Sequence, residues 1–237
     1  MSTEGLSSLW RDEKLRGVMA ACVTLGFAVG VIAISFGVTS VSAGASVAQT
    51  CVMSLLVFTG ASQFSAVSVL GAGGSPLSAF GGAALLAARN CLYGLAMAPH
   101  LKGRLSVRLL AAQWTIDEST AMAAAQDDER HRRAAFWITG GSIYLFWNLG
   151  TLLGALLGSA IDPKTFGLDA AFPAGFVAML WPLLRERRSA MAALIGAALC
   201  LVLIPFTPVG VPILAAALGI LVGVPAPAAP APPEFAA

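Results

Sequence analysis

Apolar residues run along this chain in long blocks, with no alternation. From Gly17 to Ala88, 72 consecutive residues carry no charge, and further uncharged runs cover 134–161, 170–184 and 189–233. At 1.5 Å per residue the first run alone gives roughly 108 Å of helix, about three crossings of a 30 Å hydrocarbon core. Strands of a membrane barrel would alternate over segments of about ten residues. These runs are uniformly apolar with Gly and Ala throughout, so helices are predicted. The blocks place membrane helices near 17–37, 45–70, 76–98, 134–160, 166–184, 189–204 and 208–224. With a helix of undecided depth at 105–125 the count is seven or eight. Pro173, Pro182, Pro205, Pro208 and Pro212 sit in or beside the last three spans, which are expected to be short or broken.

Flanking this single transmembrane domain (17–224) are a polar segment, 1–16, expected to lie at the interface, and a Pro/Ala-rich tail, 225–237, expected to be disordered. The apolar run after residue 16 is too long for the core of a cleaved leader, so none is expected. Composition narrows the class further. Apolar residues make up 57% of the chain and charged residues 11%, against about 25% charged in a soluble domain. A soluble fold of this size is excluded, and the fold class is an all-α polytopic membrane protein. The net charge of +2 is too small to imply nucleic acid. Cys22, Cys51, Cys91 and Cys200 all fall in apolar spans without metal-type spacing and read as small core residues.

Basic residues set the orientation. Arg11, Lys14 and Arg16 favour a cytoplasmic N-terminus, and the clusters 130–133 and 185–188 favour cytoplasmic loops. Lys102, Arg104 and Arg108 conflict with three plain spans before them. The conflict disappears if 109–125 also crosses, or if 45–75 enters and leaves on one side. The sequence leaves both open.

Costly residues at membrane depth are the informative ones. A central Arg costs roughly 2.5–3.5 kcal/mol even on insertion scales, and Arg89 lies inside the third span with Asn90 beside it and Tyr93 at i+4. Structural snorkelling and a cation facing a water-filled cavity are both open readings. Asp117 and Glu118 follow in Gln113-Trp114-Thr115-Ile116-Asp117-Glu118. They suit either an interfacial acidic face or, at depth, a partner for Arg89 or for a transported proton. Gly60-Ala61-Ser62-Gln63-Phe64 interrupts the second span, where a buried amide next to a helix break suits a transporter site. Gly26/Gly30 and Gly150/Gly154/Gly158, at spacing four, predict close helix contacts, while His100 and His131 read as loop residues. Walker, HExxH and GxSxG signatures are missing, no nucleophile set gathers, and no enzyme is expected.

With these residues in view, the chain resembles the AzlC family, the large subunit of branched-chain amino acid exporters. The likeness rests on Phe58-Thr59-Gly60-Ala61-Ser62-Gln63-Phe64, on Arg89 with Tyr93-Gly94, and on Pro99-His100-Leu101. It continues through Asp117-Glu118, Gly167-Leu168-Asp169-Ala170-Ala171-Phe172-Pro173, and Pro182-Leu183-Leu184 followed by Arg187-Arg188. It departs at Ala87, where the family often has Asn, and at Asn90, where an aromatic or His is usual. The resemblance implies inner-membrane export of Val, Leu, Ile or Met, and a small partner subunit of the AzlD type.

A zwitterion with an aliphatic side chain needs a cation, an anion and an apolar pocket. Arg89 is assigned to the carboxylate, and Asp117 or Glu118 to the ammonium or the coupling proton. Gln63, Ser62, Asn90 and Tyr93 are expected to add neutral hydrogen bonds, and Phe58 and Phe64 to line the pocket. No cofactor or metal is expected. A passive channel, or a structural subunit of another transport complex, is the alternative that the residues leave open.

Overall fold

The computed structural model describes residues 13–160, 177, 181, 183–219 and 221. Among them there is no strand. The helices are α1 (Glu13–Ser42), α2 (Val47–Val57), α3 (Ala61–Gly71), α4 (Pro76–Ala87), α5 (Arg89–Met97), α6 (Leu105–Gln113), α7 (Asp117–Ala124), α8 (Glu129–Ala160), α9 (Arg187–Leu203) and α10 (Val211–Ala216), with 3₁₀ turns at Leu183–Arg185 and Ala217–Gly219.

The two long helices, α1 and α8, form the spine. Their partners rise together along the chain: Ser142 Oγ donates to the Cys22 carbonyl at 3.1 Å, Gly30 meets Phe146, Gly154 meets Ile34 and Gly158 meets Val38. The helices are therefore parallel. The approach is close because glycines line it. A Cβ on Gly26 would stand 2.6 Å from Ser142 Oγ, one on Gly30 2.6 Å from Phe146 Cβ, and one on Gly154 would fall on the Ile34 carbonyl. The predicted packing role of these spacing-four glycines is what the structure shows.

The second predicted span folds back on itself. Ser46 caps α2, accepting from the Gln49 N–H at 3.1 Å, and α2 then stops at Phe58–Gly60. Phe58 (φ +38°) and Gly60 (φ +54°) are both in the left-handed region, a conformation glycine adopts without penalty. From there α3 runs back to the end where α2 began, so that a Cβ on Gly71 would lie 2.9 Å from that of Ala43. Residues 47–71 thus begin and end at the same end of the bundle, the arrangement that the second of the two alternatives requires.

Ser75, accepting from the Ser78 N–H at 3.1 Å, and Pro76 at the first turn start α4. Ala88, itself in right-handed helical conformation, joins it to α5. That pair runs to the opposite end, where His100 Nδ1 sits 2.7 Å from Glu129 Oε2 at the start of α8. Residues 105–125 form a second folded-back pair. α6 leaves this end and α7 returns to it, since Asp127 pairs with Lys14 at 3.4 Å. The tips of the two pairs meet midway. Gln113 Nε2, at the tip of the second, donates to the Leu55 and Leu56 carbonyls near the tip of the first, at 3.2 and 3.1 Å. α9 and α10 fold against each other, with Gly196 beside Ala216, and α10 packs on α4 through Gly81 and Leu214.

A buried cluster at the tips (Ala33, Phe36, Phe58, Phe64, Val67, Ile116, Ile143 and Trp147) is the core that fixes both breaks. A second buried cluster (Met97, Leu101, Ala111, Ala123 and Phe136) lies toward the α5–α6 turn, and many of the remaining large apolar side chains face outward, with Phe27, Leu56, Leu95 and Leu153 each more than half exposed.

Among the described residues two helices, α1 and α8, are long and apolar enough to cross a membrane by themselves, so the expected seven or eight membrane helices, some short or broken, are not confirmed in number. The physical reason is that 45–70 and 105–125 are pairs of half-helices and 76–98 is interrupted at Ala88. His131, read as a loop residue, sits in the first turn of α8 and is buried. Most of the span at 166–184, the 167–173 motif, the 225–237 tail and most of the 1–16 segment lie outside the described residues.

Candidate functional site between two helix breaks

A half-helix that begins at membrane depth leaves its first N–H groups without intrahelical acceptors and points the positive end of its dipole inward. Two such ends, the N-termini of α3 and α7, face one cavity of about 330 Å³. The α3 tip contributes Phe58, Thr59, Gly60, Ala61 and Phe64, and the α7 tip Ile116, Asp117 and Glu118. Arg89 and Asn90, at the start of α5, add a third wall. Leu25, Ala28, Val29 and Ile32 of α1, with Ile143 and Trp147 of α8, complete a largely apolar surround.

The guanidinium and the carboxylate meet there. Arg89 Nη1 lies 2.7 Å from Asp117 Oδ2, with the two side chains 38% and 24% exposed. Arg89 opens α5 at the cavity wall, and the break before α7 puts Asp117 in the first turn of a helix, where a negative charge is favoured. The pair leaves capacity unused. Among the described residues, Arg89 Nε, Asp117 Oδ1, Thr59 Oγ1 and Trp147 Nε1 are buried without a partner. A buried polar atom with no partner costs about 1–3 kcal/mol, and four around one cavity mark a place for a polar ligand.

Six of the nine residues expected from sequence to form a site line this cavity: Phe58, Phe64, Arg89, Asn90, Asp117 and Glu118. Three stand outside its wall. Tyr93, one turn on from Arg89, feels both Asp117 and Arg89. Ser62 is 2% exposed and its hydroxyl is unpartnered. Gln63 is fully buried, and its amide is engaged: Oε1 accepts from the Gly60 N–H at 3.2 Å, and Nε2 donates to the Met53 carbonyl at 3.2 Å. It clasps the break between α2 and α3. Sequence reasoning passed over Thr59 and Trp147. The available signal was an indole N–H inside an apolar span, which needs an acceptor when buried.

The chain matches the model of the AzlC protein family over residues 24–161, more than half its length and all of the cavity's wall. It is 31% identical over 181 residues to the Inner membrane protein YgaZ of Escherichia coli (strain K12), covering 70% of this chain and 72% of that one. It is 27% identical over 198 residues to the Branched-chain amino acid transport protein AzlC of Bacillus subtilis (strain 168), covering 80% and 77%. An uncharacterized membrane protein of Archaeoglobus fulgidus is 34% identical over 191 residues, 79% of this chain and 83% of that one. No solved structure matches the chain. The inner-membrane and membrane names of these relatives agree with the apolar exterior, and the chain, a bacterial inner-membrane protein, belongs to the AzlC family.

Proposed function

We propose that this protein is the large subunit of a secondary exporter of branched-chain and other neutral apolar amino acids (Val, Leu, Ile, Met), driven by the proton gradient and working with a small AzlD-type partner. The observation that carries the reading is the Arg89–Asp117 pair in the wall of an apolar cavity at the meeting point of two helix breaks. Substrate sites at membrane depth are built where half-helix ends converge. Ionisable residues placed there cost too much to serve packing alone. The cavity supplies both signs of charge for a zwitterion, and Val29, Ile32, Ile143 and Phe64 suit an aliphatic side chain. Phe58, Asn90 and Glu118 share the wall, while Ser62, Gln63 and Tyr93 shape it from behind. Asp117 and Glu118 are the groups that exchange a proton or an ammonium.

The end bearing Lys14, Arg16, Lys102, Arg104, Arg108, Arg130, Arg132 and Arg133 is the cytoplasmic one in this reading. The opposite turns, 43–46 and 72–75, carry no charge.

The test is transport in proteoliposomes, with and without the small partner. Uphill valine or leucine movement that follows an imposed pH gradient is expected, and Arg89→Ala is expected to lower it at least tenfold while the protein still inserts. Purely downhill flux would indicate a passive pore. Wild-type rates from Arg89→Ala would remove the site.

A further inference from the structure

The two helix N-termini at the cavity differ in charge, and that difference gives the bound substrate a direction. α7 opens with Asp117 and Glu118 in its first turn; α3 opens with no acid, and the one side chain at its start, Gln63, accepts only the Gly60 N–H. The α7 end is therefore covered by negative charge, while the α3 end keeps its positive dipole and first-turn N–H groups that no carbonyl of the helix can accept. Arg89, the cation assigned to the carboxylate on sequence grounds, is already matched by Asp117 at 2.7 Å. A second, independent feature marks the α3 end. Trp147 is 5% exposed, lines the cavity, and holds its indole Nε1 buried with no partner among the described residues. The Cη2 edge of its ring lies against Gly60 at the helix tip, 3.5 Å from where a Cβ there would stand. The ring is held by Phe36, centroids 6.0 Å apart, and by Phe64 at 6.3 Å. Thr59 Oγ1 beside it is likewise buried and unpartnered.

We infer that the substrate's carboxylate docks at the N-terminus of α3, on its first-turn N–H groups with Trp147 Nε1 and Thr59 Oγ1, and that the ammonium points toward the Glu118 side of α7. This rests on the proposed transport of neutral amino acids and adds the orientation of the molecule in the site. Arg89 becomes the positioning residue that holds Asp117. A carboxylate accepting several N–H donors from a helix terminus is a charge-assisted arrangement that needs no free cation.

The experiment separates the two ends of the substrate. Leucine binding to the purified full-length protein is competed with leucinamide, which keeps the ammonium and lacks the carboxylate, and with 4-methylpentanoate, which has the reverse. Trp147→Phe keeps the stacked ring and removes the N–H; Thr59→Val keeps the shape and removes the hydroxyl. Each is expected to weaken 4-methylpentanoate about tenfold and leave leucinamide within twofold, whereas Glu118→Gln does the opposite. Equal losses for both analogues, no loss for either, or a selective loss of 4-methylpentanoate in Arg89→Gln alone would overturn the orientation while leaving transport intact. Wild-type protein that binds neither leucine nor an analogue, alone or with the small partner added, would overturn the transport reading and the orientation together.

Discussion

Asp117 and Asp128 each stand at the start of a helix, and their surroundings give them different work. Asp117 faces the cavity and Arg89. Asp128 stands in the exposed turn before α8, where Oδ1 accepts from the His131 N–H at 3.0 Å and Oδ2 meets His131 Nδ1. The backbone N–H of His131, with its ring, holds the Asp128 carboxyl below the usual carboxylate range. A depressed pKa means the native state favours the charged form. The contribution is present above the unfolded pKa of about 4 and fades as pH falls through the folded value. Asp128→Ala should therefore lower the midpoint of thermal unfolding at neutral pH, by an amount that shrinks as pH is brought down through the carboxylate range. An equal drop at every pH would mean that the charge plays no part. Residues of high solvation cost were the legible ones: Arg89, Asp117 and Glu118 stood out in the sequence because lipid makes them expensive, and the structure places them together. Gln63 was equally conspicuous, but its partners are backbone groups at a break whose geometry three residues of sequence do not specify. Trp147 was missed because apolar periodicity treats an indole as one more large ring.

For whole elements, the spine depends on backbone approach. Gly26 and Gly30 on α1 meet Ser142 and Phe146 on α8, and Gly150, Gly154 and Gly158 on α8 meet Gly30, Ile34 and Val38 on α1. No side chain fits, and dispersion between closely opposed backbones does the work that the hydrophobic effect does in water. Gly154→Val would drive its branched side chain into the Ile34 carbonyl and force the helices apart. Overpacking of this kind costs about 1–3 kcal/mol or more. The expected result is a lower unfolding midpoint in detergent and loss of transport. Gly17→Val, at a position with open space around it, should change neither measurably. These contacts were legible because spacing four puts the glycines on one helix face. Helix ends were not. Polar residues do mark the places, Gly60 to Gln63 after Phe58 and Arg89-Asn90 after Ala88, but they do not say that the chain turns back after the first and runs on after the second, since the local backbone sets the direction.

Across the whole molecule, the same pattern occurs twice with opposite direction. α1 runs from the basic end to the uncharged end and is followed by the folded-back pair α2–α3. α4–α5 runs the other way and is followed by α6–α7. The second half-helix of each pair starts alike. Gly60 N–H is accepted by Gln63, and Ile116 N–H by Ser119 Oγ at 3.1 Å, three residues on in both cases. Phe58-Thr59 precedes one tip and Trp114-Thr115 the other. Too few residues match for the sequence alone to betray a repeat, yet the arrangement dissolves the conflict over Lys102, Arg104 and Arg108. If neither pair crosses, those residues share an end with Lys14 and Arg132, and every described loop obeys the positive-inside rule. The measurable consequence is a labelling pattern. In a background with the four native cysteines replaced, Cys at Ser46 and Ser75 should react with a membrane-impermeant maleimide from the outside of intact cells. Cys at Ser106 and Ala125 should react only after the inner face is opened. Plain crossings would place the two members of each pair on opposite sides, so Ser46 and Ser75 reacting from different faces would dismantle the paired tips. The converging helix ends would go with them, and so would the cavity between them as a site for a zwitterion.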